Sequence, residues 1–438
     1  MNFEVKMLGE CDYEASRVMN TPMPESFYIS DSRRMRYEIC VDLDISDANS
    51  SESITFELAG PREKLFFKPE DTRCAVVTCG GLCPGLNDVV RSIVMTASYR
   101  YGVKTIYGIR YGYHGLNPAK GYHPIELTPK IVSDIHLSGG TILGASRGGT
   151  DNMEILIKTL ESLKVDVLFA IGGDGTLRGA HDIAEMASQK GMNLSIIGIP
   201  KTIDNDINFI QHSFGFETAY SKAVDSIYSA HVEAVGAPNG IGLVKLMGRD
   251  SGFIAANAAL AINDVNFVLI PEVKFDLEGP NGFLSHLYKR MQKRGHAVIC
   301  VAEGAGQELM AHEQSKLKKD ASGNVVFNDI GIFLRDKIIE YFEAQKMHVN
   351  LKYIDPSYMI RSARAVSTDA VYCVLLGQYA VHAGMAGKTD CAIGQYNNMF
   401  IHVPIEMTIS ERKHINTESL FWHGVLESTG QPVSMKNE

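Results

Sequence analysis

The sequence predicts an α/β fold built on parallel sheets covered by helices on both faces. Three observations point that way. Apolar runs of strand length recur without the alternation of a half-exposed strand, as at residues 165–171 (Val-Asp-Val-Leu-Phe-Ala-Ile) and 194–199 (Leu-Ser-Ile-Ile-Gly-Ile). Such runs end in glycine-rich or polar turns. Helical spacing then begins at once, as at Ala180, Ile183, Ala184 and Ala187. This order repeats along most of the 438 residues, a length that suits two or three domains.

Composition narrows the function. The hydrophobic fraction of 45% is ample for large cores, and the net charge of −9 argues against a general nucleic-acid or anionic-membrane surface. Any phosphate site must therefore draw on local basic residues and backbone amides. No stretch approaches the roughly 18 uninterrupted apolar residues of a membrane span, and the N-terminus lacks the pattern of a signal peptide. The eight cysteines show no metal-ligand spacing. Cys74, Cys300, Cys373 and Cys391 sit in apolar runs and read as buried thiols. A reduced, cytosolic protein is expected.

Taken in order, residues 1–70 show no clear periodicity and form an N-terminal extension, with an acidic loop at 42–51. The first clear strand is 74–79. It runs into Gly80-Gly81-Leu82-Cys83-Pro84-Gly85-Leu86-Asn87, then helical spacing at Val89, Val90, Ile93, Val94 and Ala97. A Gly-Gly turn there serves either phosphate binding or chain reversal alone. A strand at 105–109 leads to Tyr113 and His114, and the histidine reads as packed or surface rather than catalytic. The glycine-dense loop 139–149 holds Arg147 and Gly148, suited to pair with phosphate or to stand in solvent.

The strand at 165–171 ends in Gly172-Gly173-Asp174-Gly175-Thr176. Glycines before a helix let backbone N–H groups approach phosphate oxygens, and an Asp among them is a natural Mg²⁺ partner. The strand at 194–199 ends in Pro200-Lys201-Thr202-Ile203-Asp204-Asn205-Asp206. A carboxylate two residues beyond a threonine can take a proton from a bound hydroxyl, and one two residues further can reach a divalent cation. The competing reading is an acidic turn that caps the next element. A new set of elements starts near 216. It has strands at 242–247, 267–270, 297–302 and near 351–354, and a polar surface insertion at 307–328. Their ends carry Met247-Gly248-Arg249, Glu303-Gly304 and Tyr358-Met359-Ile360-Arg361.

These motifs, in this order and spacing, resemble 6-phosphofructokinases, and the resemblance runs from about 74 to at least 395. Pro200-Lys201 and the segment 358–361 resemble the branch of plants, trypanosomatids and some bacteria, which includes ATP-dependent and pyrophosphate-dependent enzymes. The resemblance implies two doubly wound, three-layer α/β/α domains facing one cleft. The donor domain would span 71–215, completed by 361–410. The fructose 6-phosphate domain would span 216–360, with 411–438 as a C-terminal return. It also implies a glycolytic, cytoplasmic, allosteric homotetramer with no nucleic-acid or membrane partner.

By the same resemblance, Asp204 takes the hydroxyl proton, Thr202 holds the transferring group, and Asp174 binds Mg²⁺ with Asp206 near it. Gly81, Tyr113, Arg147, Gly148, Gly173, Gly175 and Thr176 would line the ATP. Ile203, Met247, Gly248, Arg249, Glu303, Met359 and Ile360 would meet the sugar phosphate, with Tyr358, Arg361 and Lys352 at its 6-phosphate. Arg249 would also act in catalysis. Many bacterial members place Arg where Gly240 stands, and many have His where Tyr358 stands.

Two residues bear on the donor. Gly175 is often Asp in pyrophosphate users, where a carboxylate would repel the α-phosphate of ATP. Lys201 instead matches the pyrophosphate users. Gly175 removes an exclusion, whereas Lys201 can still meet ATP, so ATP is the expected donor and pyrophosphate the alternative. A non-catalytic regulatory subunit is a third reading, and it predicts loss of Asp204, Asp174 or Arg249, all of which are present.

Overall fold

A computed structural model describes residues 3–38, 40, 54–313 and 327–437. The acidic stretch 42–51 and most of the polar insertion, 314–326, lie outside the described residues. The chain divides into two compact units. The first is Met1–Thr202, Ile207–Gly215 and Ala363–Glu411; the second is Ile203–Asp206, Phe216–Ser362 and Arg412–Glu438.

The first unit is built on a nine-stranded sheet. Its centre is parallel, in the order Cys391–Tyr396, Ser195–Pro200, Val167–Gly172, Arg73–Thr78, Thr105–Ile109. Side chains alternate between its faces. Leu168, Ala170 and Ile196 share one core with Leu156, Leu160, Leu177, Ala180 and Ile183, from helices Met153–Ser162 and Asp174–Gln189. On the opposite face, helix Ser367–Met385 comes so close that a Cβ added at Gly384 would stand 2.6 Å from Val167. Fully buried strands between two helical layers explain the unbroken apolar runs in the sequence.

The margins of this sheet are antiparallel rather than parallel. A hairpin joins Cys391–Tyr396 to Met399–Pro404 through Asn397 and Asn398, both at positive φ (47° and 60°), the geometry a two-residue turn between twisted strands requires. Strand Thr55–Leu58 then pairs antiparallel with Met399–Pro404, and Arg34–Arg36 with Thr55–Leu58. Two strands from the first 70 residues, Arg34–Arg36 and Thr55–Leu58, thus join this sheet. A buried ionic cluster fastens them. Glu57 accepts Arg62 at 2.6 Å, Lys388 at 2.9 Å and His402 at 3.0 Å. Burial alone would raise the Glu57 pKa, but His402 and Lys388 hold it well below the usual range.

The second unit has a four-stranded, all-parallel sheet in the order Phe267–Leu269, His296–Ala302, Gly240–Leu246, Asn350–Ile354. Ile241, Leu243, Ile299 and Val301 face a core completed by helices Phe283–Arg294 and Ile330–Ala344. Helix Phe216–Gly236 covers the other face, where a Cβ at Gly242 would meet Ala230 backbone at 2.8 Å. Each unit is therefore a three-layer α/β/α body. In each, the motifs singled out in the sequence lie beyond the carboxyl ends of parallel strands, where open α/β sheets bind ligands.

Candidate active site

In the first unit three neighbouring strands deliver their turns side by side. Thr78 pairs with Ile171, and Gly172 with Pro200, so residues 79–81, 173–176 and 201–202 emerge together. Backbone bonds lock the exits: Cys79 N–H to Ile171 O at 2.9 Å, Gly80 N–H to Ser146 O at 2.8 Å, and Lys201 N–H to Gly172 O at 2.8 Å. The buried Lys201 ammonium donates to Gly81 O at 2.6 Å and so ties the first glycine turn to the third. Helix Asp174–Gln189 starts immediately after Gly173, and its first-turn amides favour an anion. Asp174 is partly exposed and takes Arg178 at 3.2 Å. Gly175 is exposed, and a Cβ built on it meets nothing within 4 Å. Arg147 and Gly148 lie on the loop whose Arg147 carbonyl meets His114 Nε2 at 3.2 Å, a packing contact for that histidine.

In the second unit the loop Ile203–Asp206 meets the ends of Gly240–Leu246 and His296–Ala302. Two glycines allow the close approach. Gly248 sits at φ 125°, where a Cβ would stand 2.4 Å from Ser251 O, and a Cβ at Gly304 would stand 1.7 Å from Arg249 O. Gly304 N–H donates to Gly248 O at 3.1 Å, and Ser251 Oγ donates to Asp204 O at 2.9 Å. Asp204, Glu303, Arg249 and Arg361 therefore share one electrostatic neighbourhood. Burial, then the Asp206 and Glu303 charges, push the Asp204 carboxyl up to about 8, against Arg361 and Arg249, which pull it down. Burial likewise raises Glu303, with Arg249 the leading counterweight. A half-buried carboxylate in such a setting can take a proton, and two arginines beside it can neutralise phosphate.

A phosphofructokinase family model matches residues 73–384, a span that holds both glycine turns, the acidic loop, Arg249, Glu303 and Arg361. The chain belongs to the phosphofructokinase family. An ATP-dependent 6-phosphofructokinase of Borreliella burgdorferi is 48% identical over 450 residues, covering 100% of this chain and 98% of the relative. The chloroplastic ATP-dependent 6-phosphofructokinase 5 of Arabidopsis thaliana is 47% identical over 374 residues, covering 85% of this chain and 68% of the relative. Among solved structures, a pyrophosphate-dependent phosphofructokinase from Marinobacter aquaeolei has a TM-score of 0.66 at 19% identity, over 82% of this chain and 91% of that one. Phosphofructokinase of Pichia pastoris in the T-state has a TM-score of 0.64 at 21% identity, over 77% of this chain but 35% of that one, so this chain spans about a third of its length. At such identities these two structures show the fold alone.

The residues expected to form the site differ in exposure. Tyr113 is buried: its ring packs in the core and its hydroxyl donates to Thr176 O at 2.8 Å, bracing the start of the helix. Ile360 is likewise buried beneath the short helix Ser357–Arg361, whereas Tyr358 and Met359 on that helix are 84% and 67% exposed. Met247 and Ile203 are buried. Thr202 and Arg361 are half-buried and accessible. Lys352 is exposed on the strand beside Gly242. The absence of Arg at Gly240 has a steric cause: a Cβ there would stand 2.1 Å from Ala234 O.

The sequence reading missed several residues of this neighbourhood. Lys245 bridges Asp329 and Asp355, each at 2.8 Å, and Asp355 accepts Ser357 N–H at 3.0 Å, anchoring the helix that carries Arg361. The run Arg412-Lys413-His414, which looks like a solvated basic patch, reaches the acidic loop. Lys413 N–H donates to Asp206 O at 2.9 Å, and Lys413 Nζ lies 5.3 Å over the Phe253 ring. Burial depresses the Lys413 ammonium to about 7, with Asp206 opposing. No local signal in the sequence connects residue 412 to residue 206.

Proposed function

We propose that this chain transfers the γ-phosphoryl group of ATP to the 1-hydroxyl of fructose 6-phosphate, giving fructose 1,6-bisphosphate and ADP in glycolysis. The observation that carries the reading is the placement of Asp204, a carboxylate on the loop beyond a parallel strand, set among Asp206, Glu303, Arg249 and Arg361. Relatives named ATP-dependent 6-phosphofructokinase, alike over nearly the full chain, support the same assignment.

In this reading the sugar oxygen attacks the γ-phosphorus as its proton passes to Asp204, and the bond to the departing ADP oxygen breaks. Arg249 neutralises charge on the transferring group, which Thr202 positions. Glu303 receives sugar hydroxyls, and Arg361, Tyr358 and Lys352 hold the unreactive 6-phosphate. The turns 79–81 and 173–176, with Arg147, cradle the donor. Positioning and charge neutralisation then supply most of the rate, as is general for phosphoryl transfer. Asp174 in the first unit and Asp206 in the second each offer carboxylate oxygens, the hard ligands Mg²⁺ takes alongside phosphates and water. Bound there, it would neutralise phosphate charge.

ATP is favoured over pyrophosphate by two details. The space over Gly175 is open, and Lys201, the residue that pointed to pyrophosphate, has its ammonium on the Gly81 carbonyl. A homotetramer is part of the proposal. It is supported by an exposed apolar face on helix Phe216–Gly236, where Tyr228, Val232 and Val235 recur at helical spacing. A cytoplasmic setting is supported by eight free cysteines. Among the described residues, no helix is long and apolar enough to cross a membrane. The test is turnover of fructose 6-phosphate with Mg²⁺ and either ATP or pyrophosphate. Activity with ATP is expected, and activity confined to pyrophosphate would overturn the donor assignment.

A further inference from the structure

The segment that follows Glu411 packs against both the acidic loop and the turn that carries Arg249. The Arg412 guanidinium lies between two carboxylates, 3.4 Å from Asp206 Oδ2 and hydrogen-bonded to Asp250 Oδ2. Asp206 closes the loop that carries Asp204, and Asp250 directly follows Arg249. The residues beside Arg412 repeat the pattern with their own polar groups. Lys413 N–H binds Asp206 O at 2.9 Å, and His414 Nδ1–H donates to Asp250 O at 2.7 Å. Ile415 N–H donates to Glu272 Oε1 at 2.9 Å, and the same carboxylate takes Gly252 N–H at 3.0 Å. Four consecutive residues thus grip both the acidic loop and the turn after Met247, and Ser251 Oγ links those two directly through Asp204 O.

We propose that Arg412 is a positioning residue for phosphoryl transfer: its guanidinium holds Asp206 and Asp250 together and thereby fixes the two loops that carry Asp204 and Arg249. The charge arithmetic explains why an arginine stands there. Two carboxylates brought to one spot repel, and a planar guanidinium can satisfy both at once with separate N–H groups. Remove it and the repulsion acts on the backbone of both loops. A displacement of about 1 Å in a reacting group costs on the order of 10²-fold in rate. The role in turnover rests on the kinase reading, whereas the bracing itself does not.

The experiment compares the full-length parent with Arg412→Ala and Arg412→Lys by steady-state kinetics and by backbone hydrogen exchange. For Arg412→Ala, kcat should fall on the order of 10²-fold. The KM values for ATP and fructose 6-phosphate should move by less than about threefold, the pattern of an interaction that serves the transition state. Exchange should quicken in residues 203–206 and 249–252. Added guanidinium should recover part of the kcat of Arg412→Ala and none of that of Asp204→Asn. Arg412→Lys, which keeps the charge and much of the packing, should fall between parent and alanine variant. It carries the comparison if the alanine variant does not fold. Unchanged exchange in both segments, or a parental kcat, would overturn the proposal. A parent inactive with every phosphoryl donor would overturn the kinase reading instead, and the exchange comparison would still decide whether Arg412 holds the loops.

Discussion

Replacing Gly175 by Asp tests the donor site directly. Gly175 is the second residue of helix Asp174–Gln189, is exposed, and has nothing within 4 Å of where a Cβ would stand. The substitution therefore fits without steric strain. Within the first turn of a helix an acidic side chain gains roughly 0.3–1 kcal/mol from the helix dipole, which offsets repulsion from neighbouring Asp174. The fold should be unaffected, and the melting temperature should stay within a few degrees of the parent. Donor binding should not. A carboxylate and a phosphate oxygen roughly 5 Å apart repel by about 3 kcal/mol at an effective dielectric near 20. That is on the order of 10²-fold in the KM for ATP. The assay is steady-state kinetics with ATP varied at saturating fructose 6-phosphate, then the reverse, with pyrophosphate as a second donor. The expected result is an ATP KM raised by about two orders of magnitude beside a nearly constant fructose 6-phosphate KM. An unchanged ATP KM in a folded variant would mean that the α-phosphate does not pass over the turn 173–176, and the argument from Gly175 to ATP would fall.

Asp204→Asn should keep the fold and lose ~10²–10⁴ in kcat, because the amide cannot take the hydroxyl proton; near-normal turnover would remove Asp204 from that role. Arg361→Ala should raise the KM for fructose 6-phosphate far more than that for ATP, since the 6-phosphate does not react. Equal effects on both substrates would place Arg361 elsewhere. Lys201→Ala should destabilise the protein by about 1 kcal/mol, the net worth of a part-buried hydrogen bond to Gly81 O, as measured by urea unfolding. His382 yields a pH prediction. Burial, helped by Arg100 and Arg62, depresses its pKa to about 3, and its Nδ1 shares a hydrogen bond with Tyr101 at 2.7 Å. The unfolded chain takes up a proton near pH ~6.5 that the folded chain refuses. Stability should therefore be full above that value and fall by up to ~1.4 kcal/mol per unit as the pH drops toward 3. Chemical denaturation of His382→Asn between pH 4 and 8 should show a shallower fall.

Much of the site was legible because local patterns encode it. An apolar run, a glycine turn and a helical repeat are decided within about twenty residues. That is enough to place Gly172–Thr176, the loop 200–206, Arg249 and Glu303 at strand ends, where parallel sheets present their ligand-facing residues. The same patterns determined the α/β class and the buried strands of both units. Local pattern could not say which accessible-looking side chains turn inward. Tyr113 follows a strand end much as a ligand residue would, yet packing takes its ring into the core. Nor could it show that Lys201 spends its ammonium on the carbonyl of Gly81, 120 residues earlier. The N-terminal strands lacked periodicity because they pair at the margin of a sheet whose other strands come from distant segments, Thr55–Leu58 finding its partner in Met399–Pro404. Arg412 and Asp206 are 206 residues apart, and their pairing exists only once the chain has folded back. Sequence alone determined the core strands and helices that follow residue 73 and the chemistry offered at their ends. Tertiary structure decided which of those groups face outward and which distant charges hold them, because burial and ion pairing depend on neighbours in space, and spacing along the chain does not specify them.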